Sequence, residues 1–137
     1  MNSSDFTILV CDDETHIRQM VAQKLAAAGF TVREAKNGRQ ALEAVTGPEQ
    51  LRPSLVISDF QMPELNGMEL CTLLKTTPAT LDTPVLMLTA RGYVLSRDDL
   101  SKTNIREVIA KPFGVRQLLE RVRAILGVAN ESTRAAA

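Results

Sequence analysis

The chain has no tryptophan, a single tyrosine and a single histidine in 137 residues. One histidine cannot build a histidine-rich metal centre, and His16 reads as an ordinary surface residue. Charge of either sign is missing as an excess: sixteen basic and sixteen acidic residues sum to zero. That excludes a basic field for nucleic acid and a polybasic patch for a membrane surface. Long hydrophobic runs are absent too, since none approaches the roughly 20 residues that span a bilayer. The first residues, MNSSDF, lack the basic and apolar regions of a signal peptide, so the expected setting is the cytoplasm. Cysteine is scarce. Cys11 and Cys71 form no C-x-x-C pair and read as buried free thiols in a reducing compartment. No P-loop and no Ser–His–Asp arrangement is visible.

What is present suits one ordinary globular domain: 45% apolar and 23% charged residues. Two periods alternate along it. Short β-branched runs occur at 6–11, 31–35, 54–59, 84–89 and 106–110. Helical spacing fills the gaps. Ile17, Met20, Val21, Leu25 and Ala28 share one face of 15–28, with Gly29 as a stop signal. Ala41, Leu42 and Val45 group in 38–46, and Leu70, Leu73 and Leu74 in 67–75. Leu118, Leu119, Val122, Ile125 and Leu126 do so in 115–127. The fourth helix is the weakest and starts near Ser96, where SRDD reads as a capping box, running to about Lys102. Five strand–helix alternations argue for a parallel sheet with helices on both faces. The last ten residues, from Val128, are small and polar and read as a flexible tail or linker stub.

In an open α/β sheet, ligands bind beyond the carboxyl ends of the strands. Asp12 and Asp13 stand at the end of the first strand, Asp59 at the third, Thr89 and Ala90 at the fourth, and Lys111 followed by Pro112 at the fifth. Three carboxylates and one lysine leave this rim at about −2, a charge that suits a hard divalent cation with oxygen ligands. A rim balanced by a cation and a lysine then suits an incoming phosphoryl group, and a carboxylate there can itself be the nucleophile. Taken alone, each feature has a plainer reading. Asp12–Asp13 could cap the first helix, Asp59 could cap a turn, Thr89 could be a strand residue, and Lys111 could be a solvated cation. The arginines of the fifth helix, Arg116, Arg121 and Arg123, read as a solvated face, and Met20, Met62, Met68 and Met87 as packing residues.

The motifs CDDE, DFQMPELNG (59–67), LTA (88–90) and KPF (111–113), in that order, resemble the receiver domain of bacterial two-component response regulators. The resemblance covers 5–127. It implies the flavodoxin-like strand order 2-1-3-4-5 and a phosphorylation-dependent switch. Asp59 would accept a phosphoryl group from a histidine kinase or a histidine phosphotransfer protein. Asp12, Asp13, Asp59 and the Gln61 backbone carbonyl would hold Mg²⁺ (or Mn²⁺). Thr89 and Lys111 would bind the phosphoryl oxygens, small Ala90 would keep the site open, and the side chains of Gln61 and Arg91 would tune self-dephosphorylation. A cis peptide is expected between Lys111 and Pro112. Beyond this self-directed chemistry the chain would not be an enzyme. It would signal through protein–protein contacts made by the fourth helix, fifth strand and fifth helix, to a downstream protein or a lost output domain. With ten residues after Gly127, the expectation is a stand-alone receiver or one cut from a longer protein, with no helix-turn-helix or enzyme domain within this stretch.

Val108 departs from the family pattern, which usually has an aromatic residue there that turns inward on activation. A valine has no such swing. Tyr93, in the loop after Thr89, is the nearest substitute. Two other readings remain: a degenerate receiver that acts as a phosphorylation-independent scaffold, and a haloacid dehalogenase-type phosphatase, although that class wants D-x-D where this chain has D-D.

Overall fold

The computed structural model describes residues 3–90 and 95–128. Arg91, Tyr93 and residues 129–137 of the expected tail lie outside them. The five strands are β1 (Thr7–Cys11), β2 (Thr31–Ala35), β3 (Leu55–Asp59), β4 (Val85–Thr89) and β5 (Ile105–Ala110). The helices are α1 (Thr15–Ala27), α2 (Gly38–Thr46), α3 (Gly67–Thr76), α4 (Arg97–Ser101) and α5 (Val115–Leu126). All strand pairs are parallel, in the order β2-β1-β3-β4-β5. This is the expected flavodoxin-like arrangement.

The pleat divides the core in two. Leu9, Cys11, Val56, Val85 and Met87 point to one side and pack with Ala41, Val45, Leu70, Cys71 and Leu74 of α2 and α3. Their neighbours Ile8, Val10, Leu55, Ile57, Leu86 and Leu88 point to the other side and pack with Val21 and Leu25 of α1 and Leu118 and Val122 of α5. Strands covered on both faces must be apolar at consecutive positions, which is why β3 and β4 are buried throughout. Met62 and Met87 are buried, Met20 and Met68 pack against the core edges, and both cysteines are free and buried.

Local signals set the helix ends. Gly29 takes a left-handed φ of 102° after α1, and Gly127 caps α5 with φ 72°. At α4, Ser96 accepts from the Asp99 N–H while Asp99 accepts from the Ser96 N–H. This reciprocal cap matters because α4 contains no buried residue. Leu73 corrects the sequence expectation: it is 39% exposed. It sits a full residue to one side of the Leu70–Leu74 line, beyond the edge of the buried stripe. The Lys111–Pro112 peptide is cis, as expected. Among the described residues no helix is long and apolar enough to cross a membrane.

Candidate functional site

The ladder carries the site residues past the last regular positions of the strands. The Asp12 N–H donates to the Ala35 carbonyl (3.2 Å), extending β1 along β2. The Lys111 N–H donates to the Thr89 carbonyl (2.8 Å), extending β5 along β4. Beyond β3, the Phe60 N–H donates to the Leu88 carbonyl (2.7 Å) and the Gly67 N–H to the Phe60 carbonyl (2.8 Å), folding the start of α3 back over the strand end. Residues distant in sequence therefore converge on one edge of the sheet.

Lys111 is the hub. Its ammonium lies 3.1 Å from Asp12 Oδ2, 3.1 Å from Asp59 Oδ1 and 3.6 Å from Glu14 Oε1. Asp12 is fully buried and Asp59 is 5% exposed. Burial pushes both carboxyl groups above their ordinary value; the charge of Asp12 adds to the rise at Asp59 and that of Glu14 to the rise at Asp12, while Lys111 pulls both back down, together with the Glu14 N–H at Asp12. Burial also opposes the charge on Lys111, but the hydrogen bonds and negative charges of Asp12 and Asp59 outweigh it and raise the ammonium's pKa.

A cleft of about 590 Å³ opens over these groups, lined by Asp13, Glu14, Asp59, Gln61, Ala90 and Lys111 among others. Asp12 stands beneath it. The structure thus brings Asp12, Asp13, Asp59, Gln61, Ala90 and Lys111 to one place. Thr89 is adjacent but buried, and its hydroxyl donates to the Ala90 carbonyl (3.3 Å). Val108 is half-buried, in register with Met87, and packs on the α2–α3 side of the sheet. Pro112 is exposed at the turn into α5. His16 and Arg116 are exposed, and Arg121 pairs with Glu107 at 3.5 Å.

Two participants escaped the sequence reading. Glu14 supplies an oxygen to a cluster with Asp12 and Asp59 in which all three ligand atoms lie within 4.8 Å of one another. The third acid in CDDE was the available signal. Arg18 is 5% exposed; it donates from Nη1 to the Asp12 carbonyl (3.0 Å) and from Nε to Glu34 Oε1 (3.0 Å). Its signal was helical spacing with Val21, Ala22 and Leu25, the buried residues of α1. Three close carboxylate oxygens fit a hard, oxygen-preferring cation, so the acidic cluster is able to bind a metal ion.

Residues 8–123 match the family described as response regulator receiver domain. The phosphate regulon transcriptional regulatory protein PhoB of Pseudomonas aeruginosa is 37% identical over 120 residues, which are 88% of this chain and 51% of that protein. The DNA-binding dual master transcriptional regulator RpaA of Synechocystis is 36% identical over 121 residues, 87% of this chain and 48% of that one. The chain spans about half the length of the curated relatives it matches. Among solved structures, the chemotaxis response regulator CheY4 of Vibrio cholerae aligns with TM-score 0.79 and 30% identity, covering 88% of this chain and 98% of that one. Family match, relatives and strand order agree: the chain belongs to the response regulator receiver domains, the phosphorylation-dependent signalling modules of two-component systems.

Proposed function

We propose that Asp59 is the phosphoacceptor of a Mg²⁺-assisted switch carried by residues 5–127. The observation that supports it most is the pairing of a nearly buried carboxylate with one lysine, 3.1 Å apart, at the floor of an open cleft. A nucleophilic carboxylate must be ionised, and burial works against that here. Lys111 opposes that effect and favours the charged form of Asp59.

The donor is the phosphohistidine of a histidine kinase or a histidine phosphotransfer protein. An Asp59 oxygen attacks phosphorus, the P–N bond breaks, and its electron pair leaves with the imidazole. The product is an acyl phosphate. Lys111 is placed to follow a phosphoryl oxygen, and the Thr89 hydroxyl becomes a donor to another once it leaves the Ala90 carbonyl. Asp12, Asp13, Asp59 and the Gln61 carbonyl would hold Mg²⁺, with Glu14 nearby, and the ion would supply positive charge against the negative charge gathered during transfer. Exposed Gln61, on the cleft wall, is placed to influence loss of the phosphoryl group.

Output leaves by α4, β5 and α5. In a longer protein the receiver would control a joined domain, as the transcriptional regulators among the relatives suggest by analogy. A cytoplasmic setting suits the two unpaired, buried thiols.

The test is incubation with a small phosphodonor, read by intact mass. The expected result is one added phosphoryl group with Mg²⁺, none with chelator and none in Asp59→Asn. Undiminished labelling of Asp59→Asn overturns the acceptor assignment. Failure of the unsubstituted chain to take up phosphate would favour the scaffold reading.

A further inference from the structure

Asp12 is held at every polar group. Its N–H donates to the Ala35 carbonyl, its Oδ1 accepts from the Glu14 N–H (2.9 Å), and its Oδ2 accepts from Lys111. Its carbonyl accepts from Arg18. The first three bonds come from the strand ladder, the local turn and the opposite strand. The fourth comes from a charged side chain taken almost wholly out of water. A buried guanidinium is costly unless its bonds compensate it, so the two bonds it makes are informative.

Arg18 grips the acidic turn twice. Its backbone N–H donates to the Glu14 carbonyl (2.9 Å), closing the first turn of α1. Its side chain donates to the Asp12 carbonyl. The three consecutive acids Asp12, Asp13 and Glu14 are therefore bracketed by one residue. Their mutual repulsion favours opening of this turn, and Glu14, the N-cap residue of α1, makes no side-chain capping bond that would resist it. Glu34 of β2 fixes the other edge of the guanidinium, and its carboxylate is 42% exposed, so the clamp is anchored at the surface.

The geometry points to Arg18 as the positioning residue of the cation site. It touches none of the reacting atoms. It sets where the carboxylates of 12–14 stand relative to Asp59, by holding the peptide that carries them, and Glu34 locks its fork. Lysine is a poor substitute, because a single ammonium cannot reproduce the fixed fork that meets a carbonyl and a carboxylate together. The inference rests on the reading of this rim as a Mg²⁺ site.

The test is calorimetric titration of Mg²⁺ into the full chain, with thermal melting in parallel. Arg18→Met is expected to weaken Mg²⁺ binding about tenfold, the lower end of what lost outer-shell support does to metal sites. Arg18→Lys should recover part of the loss. Glu34→Gln, which keeps the arginine, should weaken binding by a smaller factor and guards against Arg18→Met failing to fold. The control is Glu49→Gln, which removes a glutamate as exposed as Glu34 from its pair with the exposed Arg33 (2.7 Å) and should leave Mg²⁺ binding unchanged. The half-saturating Mg²⁺ concentration for phosphorylation should shift with the titrated affinity, while the rate at saturating Mg²⁺ recovers. A fall in melting temperature in the Arg18 and Glu34 variants with unchanged Mg²⁺ affinity overturns the positioning role. Absence of saturable Mg²⁺ binding by the unsubstituted chain overturns the reading of the site itself.

Discussion

Lys111 Nζ stands 3.1 Å from Asp59 Oδ1, and it stands equally close to Asp12 Oδ2. One cation thus serves two buried carboxylates, with Glu14 reaching for it from the rim. The site is under-compensated as it stands. Both aspartates are raised, first by burial, while Lys111 opposes the rise without cancelling it. A site in this condition favours whatever brings positive charge into it.

That imbalance has a stability consequence. An acid whose folded pKa is raised supports the fold while protonated, below its unfolded pKa, here the ordinary aspartate value of 3.8. It loses that support as pH rises through the folded value. At neutral pH, well above the unfolded value, burying Asp59 therefore costs stability. Asp59→Asn should stabilise the protein at pH 7 by about 0.5–2 kcal/mol, in the range of substitutions that relax functional strain. The gain should shrink toward zero as the pH falls to the unfolded value. Denaturant unfolding of both proteins across this range checks it, and a variant less stable than the parent at pH 7 overturns the charge argument.

Metal binding should show the same logic in reverse. If Mg²⁺ binds the folded chain and not the unfolded one, it should stabilise the fold by an amount that grows with the logarithm of its concentration, ~2.7 kcal/mol at a hundred times the dissociation constant, and the melting temperature should rise accordingly. Asp13→Ala removes a hard oxygen from the cleft and should abolish most of this gain. Glu14→Gln should retain most of it, because the Glu14 side chain is 60% exposed and already faces Lys111. Thermal melts with Mg²⁺ and with chelator decide between the two acids. Loss of the gain in Glu14→Gln alone would transfer the ligand role from Asp13 to Glu14.

The loop after Asp59 has a steric requirement at its far end. A Cβ on Gly67 would lie 2.5 Å from the Asp59 carbonyl oxygen and 3.0 Å from both Met87 Sδ and Phe60 Cα. The nearest obstacle is backbone, which cannot rotate aside. Gly67→Ala should cost about 1–3 kcal/mol, as overpacking does elsewhere, and should slow phosphoryl uptake because the strand end bearing Asp59 must shift. Gly114→Ala is the control: nothing lies within 4 Å of its Cβ position, so its effect should stay within about 0.5 kcal/mol. Equal unfolding midpoints for the two variants would refute the steric account.

The same residues show why some features were legible in the sequence and others were not. The burial of β3 and β4 on both faces demands unbroken apolar runs, and those runs, with the helical patterns between them, point to the sheet. Asp59 could be read because a strand end and the MPELNG turn coincide there. The α4 helix was visible only through Ser96 and Asp99, since it buries no side chain to leave a periodic trace. Arg18 was not legible by residue type. An arginine on a helix ordinarily faces solvent, and only the placement of Glu34 on β2 and the Asp12 carbonyl behind it make burial tolerable. Glu14 was hidden for a similar reason: its approach to Lys111 depends on how tightly the 12–14 turn is closed.

Both cysteine thiols are free and buried. Cys11 adjoins Asp12 in sequence and donates its S–H to Met62 Sδ (3.4 Å). Burial, reinforced by the charges of Asp12 and Asp59, pushes its pKa from 9.0 up to about 12, and burial alone raises Cys71 to about 12. Both groups are therefore protonated in the fold at pH values where the unfolded chain has lost their protons. Each thiol's contribution is fully present below pH 9.0 and is lost as pH rises from there toward about 12. Within that window each should cost about 1.4 kcal/mol per pH unit. Unfolding free energies measured across the window isolate the effect when the parent is compared with Cys11→Ala and Cys71→Ala, because lysine, tyrosine and arginine titrations are common to all three. Each variant should be less stable at neutral pH through lost packing, and should show a shallower alkaline decline. At neutral pH neither thiol should react with a disulfide reagent until denaturant is added, since the reactive thiolate is suppressed and the sulfur is covered. A thiol that reacts at once in the folded chain, or parallel alkaline slopes in parent and variants, would contradict the burial argument for that residue.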